Sequence, residues 1–266
     1  MPASDAVSPS ASPALPVRRV DVERPWRWLA AGWRDFMAAP AVSLAYGALF
    51  VGGGLILTLT LWSLDWLYLA LPLAAGFLLV APVLATGLYE VSRQIEAGRR
   101  PSLTDALGAW RVRPGSLAVM GLVLMLFFLA WIRIAFLIFA LFFGTEPPSW
   151  AMLVDTVFFS AKGVPFLLVG TAVGAVLAAF AFAISAVSIP LILDRDVGAF
   201  TAMATSVSAV LANWRVMIGW AALIALFGAA GLASFYLGLA LTLPLIGHAT
   251  WHAYRDLVLP TSADRR

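Results

Sequence analysis

Residues 116–143 read SLAVMGLVLMLFFLAWIRIAFLIFALFF, 28 residues of which Arg133 alone is charged. At 1.5 Å per helical residue the run outreaches the ~30 Å hydrocarbon layer of a bilayer. A soluble helix would show one apolar stripe and one polar face. Here the apolar residues go all the way round. The segment therefore reads as a membrane-spanning helix, and a second run, Ala41 to Trp62, repeats the pattern. Such backbone must satisfy its own hydrogen bonds, which in one continuous segment means an α-helix.

Working outward, we expect an all-α polytopic membrane bundle of six spans: about 41–62, 66–89, 116–143, 164–193, 216–232 and 235–254. They form three hairpins. The first turns at Ser63-Leu64-Asp65, and the second has a longer loop with Glu146, Pro147, Pro148 and Trp150. The 39 residues from Val216 to Tyr254 are long for one span and just sufficient for two, with a turn near Gly231 to Ser234. Charge decides between five and six. Of 17 basic residues, fifteen arginines fall on one side of a six-span topology, Lys162 falls on the other and Arg133 lies within a span. Basic residues near span ends stay cytoplasmic. Both termini are thus expected inside, in the cytoplasm.

The rest of the composition agrees. Hydrophobic residues make up 62% and charged residues 12% of the chain, and cysteine is absent. That excludes disulfides, thiolate metal sites and a cysteine nucleophile. The opening MPASDAVSPSASPALP lacks an apolar face and reads as a disordered tail within residues 1–19, with no secretory signal peptide. The membrane domain covers 20–258, and 259–266 is a short tail.

Each hairpin is preceded by an amphipathic stretch: Pro25 to Phe36, Ser102 to Trp110, and Val197 to Trp214. Leu103, Ala106, Leu107 and Trp110 share one helical face of the second; Phe200, Ala204, Val207 and Leu211 share one of the third. Such helices lie in the cytoplasmic interface, aromatics toward acyl chains and arginines toward anionic headgroups. The basic pI of about 9.7 then needs no nucleic acid. Pro82, Pro190 and Pro244 sit near the cytoplasmic ends of the second helices, which suggests a triplicated hairpin.

Few residues could carry chemistry. His248 and His252 are four apart and share a helix face, a spacing that suits a divalent metal or haem, with Asp194, Asp196 and Glu90 as possible extra ligands. The alternative is a pair of histidines bonded to headgroups or neighbouring helices. Asp194-Arg195-Asp196 is either an ion site or a span exit, with Asp196 capping the next helix. Arg133 either snorkels outward or is buried against Asp65, Glu146 or Asp155. Gly170, Gly174 and Ala178 form a small-residue stripe suited to close helix packing. No phosphate loop or nucleophile elbow is present, and no catalytic residue is assigned.

LDRDVGAFTAMATSVSAVLANW, LPLIGHATWHAYRDLV and LPLAAGFLLVAPVLATGLYEVSRQIEAG resemble the bacterial integral membrane family called domain of unknown function 2189, over roughly residues 20–258. The resemblance implies an inner-membrane helical domain and no assigned activity. Three functions stay open: transport or accessory binding of an apolar or lipid-like solute, assembly with other membrane proteins or as a homo-oligomer, and metal or haem binding at the histidines. Enzyme activity is not expected.

Overall fold

A computed structural model describes residues 14–145 and 154–260. Among these residues every regular element is a helix, and the one β-pairing is an isolated bridge between Val17 and Val258. The chain forms α1 (Arg24–Ala38), α2 (Pro40–Ser63), α3 (Ala70–Leu84), α4 (Thr86–Glu96), α5 (Leu103–Gly108), α6 (Pro114–Phe143), α7 (Gly163–Ser185), α8 (Ser188–Asp194), α9 (Ala199–Ala212), α10 (Trp214–Ala233) and α11 (Leu239–Leu257). The loop residues Glu146, Pro147, Pro148 and Trp150, and the tails at 1–13 and 261–266, lie outside the described residues.

Five stretches are long and apolar enough to cross a membrane: Pro40–Ser63, Leu67–Glu96, Pro114–Phe143, Gly163–Asp194 and Trp214–Ala233. They overlie the first five expected spans. The sixth segment forms α11, which is outside this set because its second half carries His248, Thr250, His252, Arg255 and Asp256. The outer surfaces of the long helices expose Leu122, Leu126, Leu141, Leu168 and Phe180. In water such continuous apolar surface would drive aggregation; in lipid it is what a spanning bundle presents.

Hydrogen bonds tie the helix ends into two opposed faces. On one, Tyr254 and Arg255 of α11 bond Asp194 at the end of α8, Ser116 of α6 bonds the Val197 carbonyl, and Asn213 before α10 bonds the Arg18 carbonyl. On the other, Thr58 of α2 meets Tyr236 in the α10–α11 turn, and Lys162 before α7 bonds the Phe142 carbonyl. Exposed tryptophans mark both. Trp26, Trp33, Trp110 and Trp214 lie on the first, Trp62 and Trp66 on the second. Tryptophan prefers the membrane–water boundary, so these two rings bracket a hydrocarbon layer.

The proline device is not repeated. The α3–α4 break falls at Ala85, just after Pro82; the α7–α8 break falls at Ala186 and Val187, before Pro190; α11 runs through Pro244 unbroken. The amphipathic stretches form α1, α5 and α9. On α9 the small and hydroxyl residues Ala202, Thr205, Ser206 and Ala209 are buried while Phe200 and Leu211 face out. Gly198, not Asp196, stands at the α9 N-cap. Asp196 instead pairs with Arg113, which approaches from the start of α6.

Residues 14–19, assigned to the tail by composition, are held in place. Leu15 N–H donates to Thr205, Arg18 N–H to the Leu257 carbonyl, and Val20 N–H to Asn213; Leu259 N–H donates back to the Pro16 carbonyl. Neither composition nor periodicity signals this, because the bonds use backbone groups that every residue possesses.

Candidate functional site

α11 buries twelve of its nineteen residues, and small residues let it do so. The backbone of Ala249 lies against Gly32 of α1, that of Ala240 against Gly47 of α2, and Gly247 meets Leu88 of α4. Those close approaches bring the polar half of α11 among buried partners. His248 is fully buried between α2 and α4, with Ser43 Oγ 2.9 Å from Nε2 and Ser92 Oγ 2.8 Å from Nδ1. A neutral imidazole has one donor and one acceptor nitrogen, so the two serines take opposite roles. His252 Nε2 lies 2.8 Å from Asp35 Oδ2 of α1. The histidines are therefore neighbours on one helix with separate partners.

The carboxylates are likewise engaged elsewhere. Asp194 accepts from Tyr254 at 2.6 Å and Arg255 at 3.2 Å, and Glu90 accepts from Arg93 and Gln94. Among the described residues no three His, Asp or Glu side chains are grouped to hold a metal ion. His248, His252, Asp194, Asp196 and Glu90 thus do not assemble into one ligand set. Two carboxylates that sequence reasoning passed over hold the same region together. Glu96 accepts from Trp251 and Arg255, and Asp256 accepts from Trp28 and Arg24. Their signal was available only as a stripe of Trp251, Arg255 and Asp256 on one helix, with no hint of the partners. Arg133 is exposed on α6, away from any buried pair.

The large feature is a cavity of about 1090 Å³ between α3, α6, α7, α10 and α11. It exceeds the ~300–1,000 Å³ of a site for a drug-sized molecule. Small residues create it. Ala175, Ala178, Ala221, Ala225 and Gly228 line it where larger side chains would close the gap. Gly170 and Gly174 line it too, but their roles differ. Gly174 receives the ring of Trp131, whose indole N–H donates to the Pro72 carbonyl of α3, whereas a Cβ on Gly170 would meet open space. The stripe expected to seat a helix backbone seats one tryptophan and leaves a hollow. No Asp, Glu, Lys, Arg or His lines the cavity among the described residues.

Comparison with known proteins gives one match. Residues 70–194, from α3 through α8, match the family model described as predicted integral membrane protein (DUF2189). That is narrower than the 20–258 over which the resemblance runs, and it stops at Asp194. No curated protein and no solved structure matches the chain. The matched segment supplies three of the five cavity walls and three of the five long apolar stretches. Over residues 70–194, just under half of its length, the chain is similar to the DUF2189 family of predicted integral membrane proteins.

Proposed function

We propose that this protein crosses the membrane six times and binds an apolar, lipid-like molecule in the cavity between its helices. The carrying observation is the cavity itself: large, walled by spanning helices, and free of charged lining residues. A small ion or polar metabolite would find no partner there, whereas an alkyl chain loses nothing on entering. The reading favours binding or transfer of such a solute over catalysis.

The six-crossing topology is supported by the pairing of Val17 with Val258. Chain segments from both ends lie side by side, which fits an even number of crossings. Five stretches qualify by apolarity, and α11 is the one that returns. The face holding both ends is the arginine-rich one, which supports a cytoplasmic orientation by the positive-inside rule. On that face Arg111 and Arg215 stack on the exposed Trp110 and Trp214, an arrangement suited to anionic headgroups. Cysteines placed at positions 3 and 263 should both label only from the cytoplasmic side. External labelling at 263 alone would restore five crossings.

Gly170→Trp tests the binding reading. The added indole projects into the hollow, where no atom opposes its Cβ, and it replaces a glycine that disfavours helix. We expect the variant to melt no lower than the native protein. Its apolar ligand, measured by native mass spectrometry and extraction, should fall about tenfold or more. Equal retention in both proteins would defeat the reading.

A further inference from the structure

Resting on the cavity-binding reading, we infer that the ligand is an uncharged, elongated chain whose hydrogen-bonding end meets Tyr89 at the end of the cavity nearest the arginine-rich face. Shape gives the first part. Along α7 the lining runs from Phe166 to Ser185, a distance of ~28 Å at 1.5 Å per residue. The cavity therefore follows nearly the whole hydrocarbon thickness. Spread over that length, the cavity is far longer than it is wide, a shape that suits an extended chain.

Electrostatics gives the second. An ionised head drawn into this slot would lose its hydration with no counter-charge in reach, a cost that a neutral hydroxyl, ether or carbonyl avoids. The third part comes from hydroxyls without partners. Tyr89 is 3% exposed and lines the cavity, yet among the described residues no hydrogen bond reaches its phenol. Thr242 lines it further along, and its Oγ1 is buried and unpaired. The other hydroxyls at the inner end are occupied: Ser185 donates to the Ala181 carbonyl and Thr250 to the Ile246 carbonyl. Of the lining hydroxyls at the inner end, that of Tyr89 is the one with no hydrogen-bond partner among the described residues, so it is the group that a ligand's polar end would satisfy.

The test uses the full-length protein in mild detergent with three labelled probes of one chain length: hexadecanol, hexadecanoate at a pH where its carboxylate is ionised, and hexadecane. Gly170→Trp serves as the background. We expect hexadecanol to bind at least tenfold more tightly than hexadecanoate. Tyr89→Phe should weaken hexadecanol several-fold and leave hexadecane unchanged. Hexadecanoate binding as tightly as the alcohol would overturn the uncharged class. An alcohol affinity unaffected by Tyr89→Phe would overturn the placement of the polar end. If no probe binds above the Gly170→Trp background, the cavity-binding reading itself falls, and this inference with it.

Discussion

Gly47→Leu should yield no monodisperse folded protein, while Gly53→Ala, six residues along the same helix, should raise stability by about 0.5–1 kcal/mol. The two glycines carry the same helix-propensity deficit, so the difference between them isolates packing. A Cβ at Gly47 would stand 2.8 Å from the Ala240 Cα and closer still to its carbonyl, with backbone rather than a flexible side chain in the way. At Gly53 nothing lies within 4 Å. Even Gly47→Ala must push α11 away from α2, and overpacking of that kind costs roughly 1–3 kcal/mol. Leucine adds three more carbons at the same point. Gly32 presents the same situation against Ala249, whose backbone nitrogen would lie 2.6 Å from an added Cβ, so Gly32→Leu should behave like Gly47→Leu. Fluorescence-detected size exclusion followed by thermal melts in detergent reads all four variants. Gly47→Leu melting with the native protein would show that α11 does not depend on this contact.

The contrast explains how much of the molecule was legible beforehand. Spans were easy, since a run such as 116–143 has one physical explanation and its ends are set by bilayer thickness. Where glycines matter was not. The Gly170 and Gly174 stripe satisfies the local rule for close packing, yet the contacts that bring backbones together lie at Gly32 and Gly47, in no GxxxG motif. A small residue permits either an approach or a hollow. Which one occurs depends on where Trp131 of α6 lands, a fact of tertiary structure. The cavity was invisible for the same reason. The polar half of α11 was legible only in part: its histidines were found, but Ser43, Ser92 and Asp35, which hold them, are more than 150 residues away in sequence.

That dependence on distant partners makes His248 the most costly polar side chain to remove. His248→Leu preserves much of the volume but strands the hydroxyls of Ser43 and Ser92, which are 0% and 1% exposed. Each unsatisfied hydroxyl costs about 1–3 kcal/mol, so the single variant should lose roughly 2–6 kcal/mol. The triple variant Ser43→Ala, Ser92→Ala, His248→Leu removes donors and acceptors together. It should recover at least half of that loss, because replacing a whole buried polar set by apolar groups of similar shape is close to neutral. His252→Leu offers a comparison. Its partner Asp35 is buried, but the imidazole is 27% exposed, so water can reach part of the site and the loss should be smaller. Melting temperatures of the four proteins in one detergent decide the matter. If the triple variant is no more stable than His248→Leu, the serines are not what the imidazole satisfies. His248 would then owe its burial to packing alone.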